Sequence, residues 1–376
     1  MKKSVDNEIK VPSQMHGYDG YNEPNRIWYH VDHIYKLKNG LYTPPVMVEI
    51  SPTSNCNQEC RFCYTYQREE ANMLSGKALV DFFSSASDIG IKMIFIQGTG
   101  EPLLNISLPD AIVAGGKNDI KMSLVTNGVL LDKSKQETIL SNLVSVKFSV
   151  LDNDPERYAK THGCPESQFN KLVKNIENAT DLCSKNNLDV TLWASVYVDT
   201  DNFLDIYDIV KFSKSLGLDF VTISQATYTE FTPHGRKEIL VSDSFSKEEI
   251  DKLIERILML NDDKFVSHIQ FPLEIQFSTK RWGRNYCRAV NLITAISGDG
   301  EVYPCWRFWG RKEYSYGSLY EKSFEEIWRG KRRQEINEYL YATPPENGEC
   351  EVCKCVTAND NLDKLLNNQN KWTDIL

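Results

Sequence analysis

Residues 46–63 read VMVEISPTSNCNQECRFC, a short apolar run that leads directly into a loop with three cysteines. The run has the length and the β-branched content of a buried strand, and Pro52 marks where the loop begins. Cys56, Cys60 and Cys63 then follow at intervals of four and three residues. This stretch predicts a strand with a thiol-rich loop at its carboxyl end.

Five further runs of the same kind follow, separated by segments with apolar residues at helical spacing. The six predicted strands are VMVEIS (46–51), IKMIFIQ (91–97), KMSLVTN (121–127), SVKFSVL (145–151), VTLWASVYV (190–198) and FVTIS (220–224). Strands that alternate with helices form parallel sheets, and their functional groups lie at the carboxyl ends of the strands. We therefore predict an α/β fold, a partial (β/α)6 TIM-like barrel.

The rest of the chain divides around this barrel. We predict an N-terminal extension over 1–45, the barrel over 46–227, a bridging segment with a helix over 228–285, and a small C-terminal domain over 286–376. Within the bridge, Ser246 and Glu249 have the spacing of a helix capping box, and Ser323 and Glu326 repeat it in the C-terminal domain. The stretch AISGDGEVYPC (295–305) predicts a hairpin.

Bulk composition excludes several classes of protein. The 376 residues carry a formal net charge of −9, which argues against an enzyme that holds nucleic acid over a wide surface. There is no secretory signal and no run long enough to span a bilayer, so we expect a cytoplasmic protein without a membrane partner. In a reducing compartment, clustered cysteines indicate metal or redox chemistry rather than disulfides.

Eight of the ten cysteines fall into two clusters, Cys56/Cys60/Cys63 and Cys287/Cys305/Cys350/Cys353/Cys355. Three thiolates cannot complete the four sites of a cubane, so one iron of the first cluster stays open to another ligand. Structural zinc is the alternative at both clusters. It usually takes four nearby ligands, and no other Cys or His lies within twenty residues of the first loop.

The C-x3-C-x2-C loop, with Phe62 before its last cysteine, is similar to that of the radical S-adenosylmethionine (SAM) superfamily. Gly98-Thr99-Gly100-Glu101-Pro102 resembles the family's GGEP motif, with Thr99 as a departure. The resemblance implies that Cys56, Cys60 and Cys63 hold a 4Fe-4S cluster. It also implies that SAM lies against Phe62 and the GTGEP segment, with Asn127, Ser149, Asp152 and Ser195 as further contacts.

The second cluster resembles the auxiliary-cluster modules called SPASM and twitch. The resemblance implies a second 4Fe-4S cluster with Cys287, Cys305, Cys350 and Cys353 as ligands, and Cys355 could replace Cys353. Of the two remaining cysteines, Cys183 continues the helical spacing of the apolar residues before it, so we expect it to be a core residue. Cys164 could donate a hydrogen atom, as a cysteine does in radical SAM epimerases.

The family implies that the reduced cluster cleaves SAM to a 5′-deoxyadenosyl radical that takes hydrogen from a substrate, with electrons from a flavodoxin or ferredoxin. We expect a small natural-product or carbohydrate-type substrate and a dehydrogenase-like oxidation, because residues 1–45 are too short for a leader-peptide domain. A precursor peptide modified by a maturase remains an alternative. A non-catalytic iron–sulfur electron carrier is another, but it would need four thiols and no SAM pocket.

Overall fold

The computed structural model describes residues 24–63, 65, 70–226, 241–270, 287–342 and 355–367. Within them, ten strands form one sheet in the order β10-β9-β8-β1-β2-β3-β4-β5-β6-β7. The strands are β1 Met47–Ile50, β2 Met93–Ile96, β3 Lys121–Thr126, β4 Ser145–Ser149, β5 Thr191–Val198, β6 Phe220–Gln225, β7 Val266–Gln270, β8 Ile293–Ile296, β9 Glu301–Tyr303 and β10 Gly317–Ser318.

Strands β1 to β7 are all parallel to their neighbours, which confirms the α/β fold and all six predicted strands. Strand β7 was missed. It lies inside the predicted bridging segment and pairs with β6. Its sequence, VSHIQ, is short and has only two apolar residues among its five, so it lacks the continuous apolar pattern of the other strands.

Twelve α-helices are described along the chain. They are α1 Val31–Lys38, α2 Gly76–Ile89, α3 Leu108–Lys117, α4 Lys133–Leu140, α5 Pro155–His162, α6 Ser167–Asn186, α7 Ile206–Ser215, α8 Val241–Ser244, α9 Lys247–Leu258, α10 Phe324–Arg329, α11 Lys331–Ala342 and α12 Val356–Asn367. Both predicted capping boxes are present, at the starts of α9 and α10. Across the described residues, every helix is too short or too polar to cross a bilayer.

One face of the sheet packs against the helices. On β5 and β6, Ala194, Val196, Val221 and Ile223 belong to this main core. The alternate residues point to the opposite face, where Trp193, Phe220 and Val266 form a small separate cluster. The two rings of that cluster are stacked with centroids 4.9 Å apart. The barrel therefore has an apolar floor on its inner face, with the strand ends beyond it.

The C-terminal part of the chain continues the same sheet. Strand β8 runs parallel to β1, and the predicted hairpin is present as the antiparallel pair β8–β9. The indole N–H of Trp328, on α10, donates to the carbonyl of Thr43 at 2.7 Å, just before β1. The strand that leads into the three-cysteine loop is therefore held on both sides, by β2 and by the C-terminal domain.

Candidate functional site

The three cysteines lie in an irregular loop after β1. The start of this loop is tied to the segment before α2, since the Ser54 amide donates to the Asn72 carbonyl at 2.9 Å. The Cys63 amide donates to the Cys60 carbonyl at 3.0 Å, which makes a tight turn between these two residues. Cys56 is exposed, and Cys60 and Cys63 are half-buried. The thiols are therefore presented at the carboxyl end of β1, as predicted.

Gln58 is the buried centre of this loop. Its Nε2 donates to the Tyr158 hydroxyl and to Gln168 Oε1, both at 3.0 Å, and its Oε1 lies 2.9 Å from His162 Nδ1. Cys60 Sγ contacts the same group, 3.7 Å from Gln58 Oε1 and 3.3 Å from His162 Nδ1. Burial lowers the pKa of His162 to about 3, so its imidazole is neutral at physiological pH.

The loop backbone also docks on the end of α5. Glu59 donates to the His162 carbonyl at 2.9 Å, and Arg61 donates to the Thr161 carbonyl at 3.0 Å. Gly163 follows with φ +57, and a Cβ there would come within 2.6 Å of the Glu59 carbonyl oxygen. Only glycine combines this left-handed conformation with such a close approach. The turn after α5 is thus shaped to receive the cysteine loop.

Arg61 and Phe62 connect the loop to the end of β5. The guanidinium of Arg61 pairs with Asp199 at 2.7 Å and with Asp201 at 2.6 Å. The Phe62 ring lies 5.3 Å from the ring of Tyr197, between centroids. These contacts reach across the carboxyl edge of the sheet, so the loop spans from β1 to β5.

The thiol environment fits an iron–sulfur cluster better than zinc. Burial and the neighbouring thiols of Cys63 and Cys56 raise the pKa of Cys60 well above its usual range, which disfavours an uncompensated thiolate at this position. Within the described residues, no three Cys, His, Asp or Glu side chains converge closely enough to hold one metal ion. A zinc ion gathers all its ligands at one point, whereas a cubane spreads its thiolates over separate irons.

The GTGEP segment follows β2 and packs directly on the cysteine loop. A Cβ on Gly98 would collide with Ser51 Oγ, and a Cβ on Gly100 would collide with the Asn55 carbonyl. The Glu101 amide donates to that same carbonyl at 2.8 Å. The Thr99 amide lies 3.3 Å from Ser51 Oγ, so the departure from GGEP is accommodated without disturbing this packing.

Glu101 is buried, and its carboxylate faces the end of β3. Oε1 accepts from the Thr126 hydroxyl at 2.7 Å and from the Leu103 amide at 3.1 Å, and Oε2 accepts from the Asn127 amide at 2.8 Å. Burial raises its pKa, although these hydrogen bonds oppose the shift. Among the residues that the structure describes, no Lys or Arg side chain pairs with this carboxylate.

The other predicted SAM contacts lie in three different settings. Asn127 donates from Nδ2 to Asn57 Oδ1 at 2.7 Å, inside the cysteine loop. Asp152 is buried and already paired with Arg157 at 2.9 Å. Ser149 and Ser195 are register partners on β4 and β5. The Ser195 hydroxyl is buried and has no hydrogen-bond partner in the described part of the chain.

The register extends this pair into a polar row that the sequence analysis missed. Ser195 pairs with Thr222 on β6, and Thr222 pairs with His268 on β7. In-register residues of parallel strands share a face, so Ser149, Ser195, Thr222 and His268 form one row on the inner face. The row lies above the Trp193–Phe220 floor, and His268 packs edge-on against Phe220 at 5.4 Å. It was missed because β7 was not predicted.

Cys164 does not belong to this row. It follows Gly163 at the end of α5, and its Sγ lies 3.9 Å from Gln58 Nε2. Cys164 and Cys60 therefore share contacts with one glutamine, on the helix side of the cysteine loop. Cys183 is half-buried and packs against the main core, as its spacing predicted.

In the C-terminal domain, Cys305 follows β9 and Cys355 immediately precedes α12. Cys287 and Cys355 are linked through one buried side chain, since Asn359 Nδ2 lies 3.8 Å from Cys287 Sγ and 3.0 Å from the Cys355 carbonyl. Cys350 and Cys353 lie outside the described residues. The structure therefore brings together part of the predicted second ligand set.

Comparison with known sequences identifies both regions. The sequence profile of the radical SAM superfamily matches residues 50–212, and that of the SPASM iron–sulfur cluster-binding domain matches residues 287–355. A tungsten-containing aldehyde ferredoxin oxidoreductase cofactor-modifying protein of Pyrococcus furiosus is 24% identical, over 82% of this chain and 88% of its own. A probable GTP 3′,8-cyclase of Methanococcus vannielii is 27% identical, over 68% of this chain and 83% of its own.

Among solved structures, the SAM-bound crystal structure of SuiB from Streptococcus suis superposes with a TM-score of 0.63. It is 18% identical, and the match covers 88% of this chain and 76% of that one. SuiB has also been solved with its precursor peptide SuiA, with a TM-score of 0.62 to this chain. At such low identity these likenesses establish the fold alone.

A first prediction follows from the contacts of Gln58. Gln58→Leu removes a partner from the buried Tyr158 hydroxyl and His162 imidazole and from the half-buried Gln168 amide. A buried polar group left unsatisfied costs about 1–3 kcal/mol. We expect the cysteine loop to loosen, so that iron bound per chain after anaerobic reconstitution and desalting falls well below that of the unsubstituted protein.

The matched control is Gln136→Leu. Gln136 is equally buried, but it donates to the carbonyls of Leu131 and Asn175, away from the cysteine loop. It should lower the urea midpoint of unfolding and leave the iron content unchanged. Equal iron losses in the two variants would show that Gln58 acts only through global stability.

Proposed function

The chain is a radical SAM enzyme with a C-terminal SPASM domain, and we propose that it oxidises a small hydroxylated molecule of the natural-product or carbohydrate type. The observation that carries the proposal is the polar row beside the cysteine loop. Phe62 of the loop contacts Tyr197, which lies on β5 two residues beyond Ser195 of the row. The loop can therefore hold the cofactors next to a row that suits a substrate with hydroxyl groups.

We assign the first 4Fe-4S cluster to Cys56, Cys60 and Cys63, and the auxiliary cluster to the cysteines of the C-terminal domain. When bound, these groups supply the electron that cleaves SAM to a carbon radical and an acceptor for the electron that an oxidation releases. The chain's own residues hold this chemistry in place. Gln58 and Arg61 fix the loop, and the ring of Phe62 packs on that of Tyr197 at the end of β5.

We assign the methionine ammonium group of SAM to the GTGEP segment. Glu101 supports this, because a buried carboxylate that has three neutral donors and, among the described residues, no cationic partner is poorly compensated. A carboxylate has about four acceptor positions, so one remains for an ammonium group. Asp152 is less suited to direct contact with SAM, since Arg157 already occupies it.

The substrate side of the site is the polar row with the floor beneath it. Hydroxyl side chains both donate and accept hydrogen bonds, and Thr222 and the buried Ser195 therefore suit the hydroxyl groups of a sugar or cyclitol. The Lys147 ammonium lies 5.3 Å from the Trp193 ring centroid on this face and adds a positive charge. His268 can accept the proton that leaves the substrate during a two-electron oxidation.

The position of Cys164 favours oxidation over epimerisation. A hydrogen donor must reach the substrate radical, and Cys164 packs beside Gln58 on the helix side of the loop rather than in the polar row. A precursor peptide is the second candidate substrate, favoured by the likeness to SuiB, whose structure has been solved with its precursor peptide. A purely electron-carrying protein would not need the packed GTGEP segment.

The central prediction concerns the cysteine loop. The reconstituted protein should hold about eight iron atoms per chain in two four-iron clusters. Changing Cys56, Cys60 and Cys63 together to Ala should leave about four iron atoms and abolish release of 5′-deoxyadenosine from SAM under reducing conditions. Cys183→Ala is the control and should change neither quantity. SAM cleavage by the triple variant would refute the assignment.

The next prediction tests Glu101. Glu101→Gln should weaken SAM binding about ten- to a hundred-fold, because a charge-assisted hydrogen bond contributes about 1.5–3 kcal/mol. The amide would also set a donor against the Thr126 hydroxyl or a backbone N–H, so circular dichroism must confirm folding. Thr126→Val removes one of the same donors and retains the carboxylate, and it should lower SAM affinity far less. Unchanged SAM affinity in Glu101→Gln would place Glu101 outside the SAM site.

The reaction class can be read from product mass in heavy water. We would supply a panel of sugars, aminocyclitols and nucleotide-linked intermediates, and separately a panel of synthetic peptides, to the reduced enzyme with SAM. An oxidation gives a product two hydrogens lighter and consumes one SAM per turnover. A product of unchanged composition that gains one deuterium would instead identify an epimerase, and Cys164→Ala would then be tested as the donor variant.

A further inference from the structure

Asn359 lies on the first turn of α12 and is almost fully buried, with 4% of its surface exposed. Its Oδ1 accepts from the amides of Arg288 at 2.6 Å and Ala289 at 2.8 Å. Its Nδ2 donates to the Cys355 carbonyl and faces Cys287 Sγ. The amide group is therefore fully engaged, with two acceptor contacts and two donor contacts.

These contacts connect two cysteines that are 68 positions apart in the sequence. On one side, Asn359 binds the backbone directly after Cys287. On the other, both its side-chain and its main-chain nitrogen bind the Cys355 carbonyl, at 3.0 and 2.9 Å. A side chain held at four points cannot rotate away, so it fixes the distance between the two cysteines.

The N–H group that Asn359 directs at Cys287 Sγ affects the electrostatics of that sulfur. Hydrogen bonds to the sulfurs are among the features that set the potential of an iron–sulfur cluster. Reduction adds one negative charge, and an N–H donor stabilises the more negative state more strongly, so it raises the potential. The adjacent Arg288 guanidinium, 5.0 Å from the Tyr341 ring centroid, adds a positive charge in the same region.

We propose that Asn359 holds Cys287 and Cys355 as neighbouring ligands of the auxiliary cluster and, through its N–H donor to Cys287 Sγ, raises the reduction potential of that cluster. The inference rests on the proposed function to the extent that a cluster binds at these cysteines. Asn359 is a positioning residue, since it acts through the cysteines. A higher potential suits a cluster that accepts an electron during substrate oxidation.

The test uses the Cys56/Cys60/Cys63→Ala background, in which the auxiliary cluster alone titrates. Asn359→Asp keeps the acceptor for Arg288 and Ala289 and removes the donor to Cys287, together with the side-chain donor to the Cys355 carbonyl. Asn359→Ala removes the donor without adding charge. Asn291→Asp is the charge control, because Asn291 Oδ1 accepts from the Tyr341 hydroxyl at 2.7 Å and an aspartate retains this acceptor. Like Asn359→Asp, it also loses an amide donor to a nearby carbonyl, here that of Arg288 at 3.1 Å. Midpoint potentials are measured at pH 8 by redox titration followed by electron paramagnetic resonance.

We expect Asn359→Asp to shift the midpoint to more negative values than Asn291→Asp, and Asn359→Ala to shift it to more negative values than the background protein with Asn359 intact. A change of about tenfold in the ratio of reduced to oxidised cluster corresponds to about 59 mV for a one-electron couple. If Asn359→Ala loses the iron of the auxiliary cluster while Asn291→Asp retains it, that result would also support the proposal that Asn359 holds the two cysteines in place. Unchanged midpoints and full iron in both Asn359 variants would overturn the proposal.

The role of Cys355 as a cluster ligand beside Cys287 is tested separately with Cys355→Ser in the same background. We expect loss of iron or an altered resonance spectrum, whereas Cys183→Ser should match the reference. An unchanged spectrum with full iron in Cys355→Ser would show that Cys355 is not a ligand of the auxiliary cluster and would overturn this part of the proposal. A reference protein that binds no iron at all would overturn the proposed function itself, together with the inference that rests on it.

Discussion

The buried amide of Gln58 stabilises a loop that has almost no backbone hydrogen bonding of its own. An irregular loop gains order only from groups outside it, and Gln58 meets the Tyr158 hydroxyl, Gln168 and His162 at hydrogen-bonding distance. Each of these partners is buried or half-buried, so the loss of Gln58 leaves them without compensation. The cysteine loop is thus held in shape by α5 and α6 before any cluster binds.

The continuous sheet fixes the position of the three-cysteine loop relative to Cys305. Strand β1 leads into the first cluster, and its neighbour β8 belongs to the C-terminal domain and leads through β9 to Cys305. Sheet hydrogen bonds join β1 and β8 directly. A shared sheet holds the separation between the three-cysteine loop and Cys305 more constant than two domains joined by a hinge would.

The fold and the motifs could be predicted from sequence because they depend on local patterns. The six apolar runs, the capping boxes of α9 and α10 and the spacing of Cys56, Cys60 and Cys63 are each contained in a short window. Strand β7 could not be recognised, because its inward residues His268 and Gln270 are polar and interrupt the apolar pattern. For the same reason the polar row, which depends on the register of four strands, was not visible.

The contacts that position the cofactor site were also invisible, because they join residues far apart in the chain. Gln58 reaches Tyr158 across 100 positions, and Arg61 reaches Asp199 across 138. No local pattern in the sequence connects such pairs. The spacing of the cysteines therefore predicts which chemistry the loop carries, while the geometry of that chemistry depends on long-range pairs that only the fold defines.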